Sequence, residues 1–340
     1  MRILNLEGDY FQIGKKLGEI YKNNNMDING VKIDNKLFKN QLKVYEKHYP
    51  NILEELKGVA AGANFNEDKT IYDFITAELR YAQSQLLKKG CTIFGVKNKN
   101  GFFIGRNYDW YPLVEKHFRV CKYENPKANN FIGISDMAIV SNNMPVSYMF
   151  HDTCDIINDK GLFVGMTFAF NDKWSYGISC FHLVKLIAEK CSTVKDVVDL
   201  FEKVPLCYPK NFFIADKKGD MVVVEHDSKK FKLTYPKDGV LIKNNHYLDN
   251  ELKKEDLVLK QSPINTTFVR YYGTLRQINK RKDKFKFFDI FKILKDTKYD
   301  VYQDYPKMKT VWTLALDMSA QKYKVYWNLL EKKKEKSLKI

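Results

Sequence analysis

Apolar residues in the first quarter of the chain recur every three or four positions, with polar residues between them. This spacing is typical of helices that bury one face. Near residue 60 small and polar residues interrupt the repeat, and such residues favour a loop. The pattern therefore predicts a mostly helical segment, with a strand over 1–8, helices over 11–21, 35–57 and 68–88, and a loop over 58–66.

After residue 90 the pattern changes to short apolar runs separated by turn-forming residues, interrupted twice by a pair of helical patterns. Because runs of strands alternate with helix pairs, two packed, mainly antiparallel sheets with helices on their outer faces are favoured over a single parallel sheet. We predict helices over 179–191, 193–202, 266–278 and 287–295, and strands over 91–94, 102–105, 131–134, 137–141, 162–167, 211–215, 221–225, 231–235, 240–242, 310–315 and 322–327.

Composition supports a folded, soluble chain. Hydrophobic residues make up 44% and aromatic residues 14% of the 340 positions, which is enough for a packed core. The first residues lack the basic-plus-apolar pattern of an export leader, and no apolar run is long enough to cross a bilayer. We therefore expect a cytoplasmic protein.

A formal charge of +16 raises the question of nucleic-acid binding. Of the 57 basic residues seven are arginines, which leaves 57 − 7 = 50 lysines, and these are spread over the whole length. Surfaces that read bases rely on arginine, so we expect neither a nucleic-acid nor a membrane partner. The basic run 331–336 is expected to be a solvated, frayed tail.

The chain has six cysteines, in neither CxxC pairs nor zinc-ligand spacing with histidine. No metal is therefore expected, and without an export signal disulfides are not expected either. Five of the six are explained as small buried hydrophobes. Cys91 differs because of the residues that surround it.

Cys91 begins a predicted hairpin. Two apolar runs, 91–94 and 102–105, flank an Asn-Gly turn, which is the strongest short-range hairpin signal. The second run ends in Arg106 and Asp109, which follow Cys91 by 15 and 18 residues. Folding of the hairpin brings a thiol, a fixed cation and a carboxylate to one end of a sheet.

A thiol needs a partner that makes it a thiolate, and no local Cys-His signature supplies one. Cutting the Gly90–Cys91 bond would instead free an α-amine with a pKa of about 7.7–8.0, which can serve as the base for its own side chain. Arg106 could stabilise the thiolate, and Asp109 could hold the ammonium. Singly, the three residues are explained as a buried thiol and a surface ion pair. Their combination favours catalysis.

These residues carry a family resemblance. Gly90-Cys91-Thr92 together with the run 105–110 (GRNYDW) resembles the N-terminal-nucleophile hydrolases that cut linear amides. These are relatives of acyl-coenzyme A:6-aminopenicillanic acid acyltransferase and, more distantly, of choloylglycine hydrolase and penicillin V acylase. The long segment before Cys91 and its opening, LEGDY at 6–10, resemble the acyltransferase branch. The resemblance implies an α+β fold, a four-layer αββα sandwich of two mainly antiparallel sheets.

Three later stretches continue the resemblance. The strand ending in Thr167 resembles the one whose backbone N–H faces the oxyanion, and the KNNHY run at 243–247 resembles the segment that supplies an asparagine donor. We choose Asn245, with Asn244 as the competitor, although a loop asparagine that caps its own backbone explains either residue. The TTFVRY run at 266–271 resembles a helix start at which Arg270 pairs with Asp109 or orients the site.

The expected protein is a precursor that cuts itself between Gly90 and Cys91 into a helical prosegment, 1–90, and a catalytic core, 91–340, of one structural domain. It would move an acyl group from a small N-acyl amide or acyl thioester to water or an amine. No bound cofactor is needed, although coenzyme A is allowed as an acyl carrier. The cleaved chains would stay associated, and a homo-oligomer is left open. The alternatives are a bile-salt or penicillin V-type amidase of the same fold and a non-enzymatic basic binding protein.

Overall fold

Two β-sheets form the centre of the computed structural model, which describes residues 3–81, 90–116, 118–135, 153–169, 171–258, 266–330 and 334–340. The first sheet has eight strands in the order β1-β4-β5-β6-β7-β8-β9-β10, and the second has β11-β2-β3-β13-β14-β15, with β12 paired to β13. Their bounds are β1 Ile3–Glu7, β2 Gly90–Asn98, β3 Gly101–Trp110, β4 Arg119–Glu124, β5 Phe131–Ser135, β6 Thr153–Asn158, β7 Leu162–Phe168, β8 Lys210–Asp216, β9 Met221–His226, β10 Phe231–Thr234, β11 Val240–Lys243, β12 Asp304–Tyr305, β13 Met308–Asp317, β14 Lys322–Trp327 and β15 Lys334–Leu338.

Helices cover the outer face of each sheet. Along the described chain they are α1 Tyr10–Asn23, α2 Asn35–His48, α3 Pro50–Ala63, α4 Glu67–Tyr81, α5 Cys180–Lys190, α6 Val194–Phe201, α7 Thr267–Asn279 and α8 Asp289–Leu294. Helices α5 and α6 pack on the first sheet, α7 and α8 pack on the second, and β2 packs against β7 between the sheets. The predicted four-layer αββα sandwich is therefore confirmed.

Alternation along β2 determines which residues face the space between the sheets. Cys91 and Ile93 belong to the large core cluster that includes residues of β7 and β8. Phe94 and Val96 pack instead with residues of α7 and α8. Because successive strand residues point to opposite faces, Cys91 faces the first sheet, where any chemistry is enclosed by both sheets.

The first quarter of the chain is helical, as predicted, and two of its helices cross at very short distance. A Cβ placed on Gly14 of α1 would lie 1.9 Å from the Glu55 backbone oxygen, and one on Gly58 of α3 would lie 2.1 Å from the Phe11 backbone oxygen. Glycine is the only residue that permits such a close approach of two backbones. The α1–α3 crossing thus depends on glycines in both helices.

Buried polar contacts join these helices to the rest of the protein. Tyr49 donates its hydroxyl proton to Glu189 of α5 at 2.8 Å, and the Tyr45 hydroxyl lies 2.8 Å from His182 Nδ1. Lys185 pairs with Glu55 of α3. In addition β1 pairs in parallel with β4, so the N-terminal strand belongs to the first sheet. The division into 1–90 and 91–340 remains a prediction.

Two local expectations are wrong. The predicted helix over 35–57 is two helices, because Pro50 lacks an N–H and restricts Tyr49, whose φ is −148°. The predicted loop over 58–66 is helical as far as Ala63, since its glycines pack against α1. Of the predicted helix 68–88, residues 82–88 lie outside the described residues, as does the predicted strand 137–141.

The expectation of a frayed basic tail over 331–336 is also wrong in its described part. Residues from Lys334 onward form β15, which pairs antiparallel with β14. Leu338 lies opposite Tyr323 and is buried in the core. The charged residues therefore belong to β15, and the buried side chain of Leu338 attaches this strand to the core.

Candidate active site

Cys91 lies on β2 of a hairpin closed by a short turn. Strand β2 pairs antiparallel with β3, with Cys91 opposite Tyr108 and Gly90 opposite Asp109. Gly101 has a φ of +143°, a conformation that other residues rarely adopt, so the Asn-Gly sequence fits the turn. Only 1% of Cys91 is exposed. The hairpin thus brings the thiol close to the end of β3, as the spacing predicted.

The backbone of Cys91 is held by groups from two distant segments. Its N–H donates to Asn245 Oδ1 at 2.8 Å, and Arg270 Nη2 donates to the same oxygen at 3.0 Å. Arg270 Nη1 also donates to the carbonyl oxygen of Cys91, and Asn244 Nδ2 donates to that carbonyl at 3.1 Å and to Thr92 Oγ1 at 2.9 Å. Asn245 therefore accepts the backbone N–H of Cys91, whereas Asn244 donates to the backbone carbonyl oxygen of Cys91.

Arg106 connects the thiol to a buried carboxylate. Its Nε lies 2.7 and 2.8 Å from the two oxygens of Asp155, and it donates a hydrogen bond to the Cys91 side chain. Burial opposes the charge of Arg106, but the interactions with Asp155 and Cys91 outweigh burial and hold its pKa above the ordinary value. Trp312 donates to Asp155 Oδ2 at 2.7 Å and also holds the carboxylate. A permanent cation therefore faces the thiol.

Asp109 has one satisfied and one unsatisfied oxygen. Thr310 donates to Oδ1 at 2.7 Å, whereas buried Oδ2 has no hydrogen-bond partner within the described chain. Burial raises the pKa of Asp109 to about 6, although Arg270, Thr310 and Arg106 act against this rise. A Cβ added to Gly90 would lie 3.1 Å from Oδ2. The free acceptor thus lies beside the Gly90–Cys91 bond.

Thr167 lies at the end of β7, and its hydroxyl donates to the Asn244 backbone oxygen at 2.7 Å. Asn211 Nδ2 donates to that hydroxyl at 3.3 Å and to the Phe168 backbone oxygen at 3.2 Å. Asn245 Nδ2 also reaches the Phe168 oxygen, at a long 3.4 Å. The end of β7 and the turn carrying Asn244 and Asn245 are therefore one hydrogen-bonded unit. The role predicted for the Thr167 backbone N–H stays a prediction.

The histidine next to these asparagines is a weak base. Burial, reinforced by the charges of Lys243 and Arg270, lowers the pKa of His246 to about 2. Its Nδ1 lies 2.9 Å from Thr267 Oγ1, which also accepts the backbone N–H of Asn245 at 2.9 Å. Both observations disfavour His246 as the proton acceptor for Cys91.

All the residues predicted for the site lie in this one network, although Arg270 differs in its contacts. It reaches Cys91, Thr92 and Asn245 directly, and Asp109 influences it only as a nearby charge. Burial lowers the pKa of Arg270, and its interaction with the nearby carboxylate of Asp109 acts in the opposite direction. Of the two expectations, orienting the site describes these contacts better than pairing with Asp109.

Sequence reasoning assigned no role to several residues of the network. Among them are Asp155, Thr267 and Thr310. A single acid within the apolar run of β6 was the available signal for Asp155, because a lone buried carboxylate requires a partner. The threonines gave no signal, since a hydroxyl in a strand or at a helix start is common.

Two features are absent from the described residues. No group of three or more histidine, cysteine, aspartate or glutamate side chains there could hold a metal ion. Among the same residues no helix combines the length and apolar character needed to span a membrane.

The sequence of this chain matches one family of known proteins. Residues 96–330, well over half of the chain, match the family described as acyl-coenzyme A:6-aminopenicillanic acid acyl-transferase. The match begins after Cys91 and contains the other five predicted catalytic residues. No curated protein matches the chain as a relative.

Solved structures show the same fold at low sequence identity. Penicillin V acylase from Agrobacterium tumefaciens is 15% identical, with a TM-score of 0.51, over 73% of this chain and 86% of that one. A variant of conjugated bile acid hydrolase from Clostridium perfringens is 14% identical, with a TM-score of 0.51, over 73% and 92% of the two chains. At such identity the likeness establishes the fold of the N-terminal-nucleophile hydrolases and not a substrate.

Proposed function

We propose that this chain, which belongs to the acyl-coenzyme A:6-aminopenicillanic acid acyl-transferase family, activates itself by cleavage between Gly90 and Cys91 and then transfers acyl groups through a Cys91 thioester. The family supports amidase or acyltransferase chemistry. One observation carries the finer proposal. The amide nitrogen of Cys91 lies 2.8 Å from Asn245 Oδ1, beside the unsatisfied Oδ2 of Asp109.

Self-cleavage begins with the thiol. The Cys91 sulfur attacks the carbonyl carbon of Gly90, the carbon–nitrogen bond breaks, and the nitrogen of Cys91 takes the thiol proton. Water then hydrolyses the Gly90 thioester, giving a carboxylate on one piece and a free thiol and amine on the other. Residue 90 is confined, because a Cβ there would lie 3.0 Å from Gln303 Oε1 and 3.1 Å from Asp109 Oδ2.

The free amine of Cys91 is then the base that no histidine supplies. Its protonated form has three donors, and a buried carboxylate oxygen without a partner is costly. Asp109 Oδ2 accepts one of these donors, and Asn245 Oδ1 continues to accept another. Cleavage thus satisfies an acceptor that has no partner within the described part of the uncut chain.

In turnover the amine removes the thiol proton and the thiolate attacks the acyl carbon of the substrate. Asn245 Nδ2 and the Thr167 backbone N–H hold the oxyanion, and Arg106 stabilises the thiolate. The amine returns the proton to the leaving group, and a thioester remains on Cys91. Water or an acceptor amine releases the acyl group. One oxyanion donor is typically worth about 10²–10³ in rate.

The intact mass of the purified protein tests the cleavage. We expect pieces of 90 and 250 residues (340 − 90 = 250), with Cys91 first in the larger one, and an uncut Cys91→Ala chain. Gly90→Val should stay uncut, whereas Gly30→Val should be cut normally because a Cβ at Gly30 meets nothing within 4 Å. Wild-type protein that turns over substrate while uncut would contradict the mechanism.

A panel of N-acyl amides, assayed with and without an amine acceptor, separates hydrolysis from transfer. Activity confined to bile-salt or penicillin V amides would favour the alternative amidase of the same fold. An uncut, inactive protein whose nucleic-acid binding collapses with added salt would favour a non-enzymatic basic protein. Cytoplasmic location, coenzyme A as acyl carrier and homo-oligomer formation stay predictions.

A further inference from the structure

An ion pair with no part in the proposed chemistry lies beside the turn that carries Asn245. Lys243, the last residue of β11, and Glu225 of β9 have no exposed surface and are bonded to each other through Lys243 Nζ and Glu225 Oε1. Burial lowers the pKa of Lys243, and Glu225 opposes that fall. Two charges removed from water require an arrangement that satisfies both.

The turn wraps around this pair. Lys243 Nζ also donates to the His246 backbone oxygen, three residues further along. Glu225 accepts the backbone N–H of Leu248, and its Oε2 accepts that of Asp249 at 2.8 Å. The ion pair therefore binds the backbone at residue 246 and at residues 248–249, on the far side of Asn245 from Lys243.

The ion pair is also connected to the two strands that carry the other groups of the site, β2 with Cys91 and β7 with Thr167. Lys243 pairs with Ile93 of β2, two residues after Cys91. Glu225 lies opposite Asn211 in the β8–β9 register, and Asn211 Nδ2 contacts Thr167 and Phe168 at the end of β7. The ion pair thus lies where the nucleophile strand, the oxyanion strand and the asparagine turn converge.

We propose that the Glu225–Lys243 ion pair positions Asn245 as oxyanion donor, an inference that rests on the proposed function. Neither residue contacts the reacting atoms in this scheme, so both are positioning residues. A donor on a turn must be held within about 0.5 Å of the productive geometry to be effective. Charge-assisted bonds to three backbone groups provide this constraint for a segment that lies outside the regular sheet.

The test is a double-mutant cycle in the full chain. We expect Lys243→Met combined with Glu225→Gln, which leaves no unpaired charge, to lower kcat by about 10- to 100-fold, less than the ~10²–10³ lost with a whole donor. KM should stay within about threefold, because the interaction matters only in the transition state. In an Asn245→Ala background, the same double substitution should lower kcat no further.

Matched controls separate positioning from stability. Lys185→Met combined with Glu55→Gln removes another buried lysine–glutamate pair, in α5 and α3, and also the contact of Lys185 with Glu189. It should shift the unfolding midpoint while leaving kcat within about threefold. For each variant the folded fraction is measured first and kcat is expressed per folded molecule. The conservative variant Glu225→Asp, which keeps the carboxylate and Lys243, should retain more of the wild-type kcat than the double substitution does.

The outcomes are distinguishable. If Asn245→Ala lowers kcat and the Glu225–Lys243 substitutions multiply that loss by their full factor, the positioning inference fails and the proposed function stands. A loss of less than about twofold from the pair in an otherwise wild-type chain also overturns the inference. If Asn245→Ala leaves kcat unchanged in correctly cleaved enzyme, both the inference and the oxyanion role of Asn245 fail.

Discussion

Replacing Asp155 by Asn should expose how much the fold depends on the counterion of Arg106. Both side chains are buried, and Asp155 lies 2.7 and 2.8 Å from Arg106 Nε. Asparagine keeps the shape and one acceptor but removes the charge. Removing one partner of a buried ion pair typically costs about 3–5 kcal/mol because the other charge stays buried. We expect a loss near the lower end, about 3 kcal/mol, since the amide oxygen can still accept one bond.

The measurement is urea unfolding of the uncut Cys91→Ala chain, with and without Asp155→Asn, so that cleavage does not alter the reference state. Small domains unfold with about 5–15 kcal/mol, so a 3 kcal/mol loss leaves a measurable folded state. The matched control is Asp199→Asn, which breaks an exposed pair with Lys195 and should leave the urea midpoint nearly unchanged.

A loss below about 1 kcal/mol for Asp155→Asn would refute the reasoning, because it would mean that another group compensates Arg106. Repeating the comparison with Cys91 present, in the Gly90→Val chain that should stay uncut, tests the second half of the argument. Since the Cys91 side chain also accepts from Arg106, a thiolate there should reduce the cost of losing Asp155.

Two further predictions concern Asp109 and the α1–α3 crossing. The folded pKa of Asp109, about 6, lies above its ordinary 3.8, so the folded, uncut chain holds this proton longer than the unfolded chain. The Cys91→Ala chain is compared with the same chain carrying Asp109→Asn. The free energy of unfolding of the chain with Asp109, minus that of the variant, should therefore fall as the pH rises from 3.8 to about 6. A flat difference in urea titrations across that range would contradict it. Gly58→Ala places a Cβ 2.1 Å from the Phe11 backbone oxygen and should lower the free energy of unfolding by about 1–3 kcal/mol or more. Gly30→Ala, the control, should leave it nearly unchanged. Equal urea midpoints for the two variants would contradict this prediction.

The hairpin that carries Cys91 could be predicted because its signals are local. An Asn-Gly turn fixes the pairing of the two strands, and the pairing alone brings Arg106 and Asp109 close to the thiol. The αββα layers followed from the order of strand runs and helix pairs. Asn245 and Arg270 were placed only through the family resemblance, because no spacing along the chain connects them to Cys91.

The remainder depends on contacts distant in sequence. Asp155 was missed because its partners, Arg106 and Trp312, come from other strands. Nothing in the run 334–338 indicates that it would pair with β14, since four of its five residues are polar and only Leu338 is anchored. Whether a polar strand forms depends on whether a sheet edge is available to receive it.

The parallel pairing of β1 with β4 has a practical consequence for making this protein in pieces. Five residue pairs attach the N-terminal strand to the first sheet, from Ile3 opposite Val120 to Glu7 opposite Glu124. A polypeptide that starts at Cys91 lacks this strand, so β4 becomes an open border with unpaired backbone groups. Such borders recruit strands from other molecules and lead to aggregation. Recombinant material of the larger piece should therefore be soluble only when the smaller piece is synthesised in the same cell.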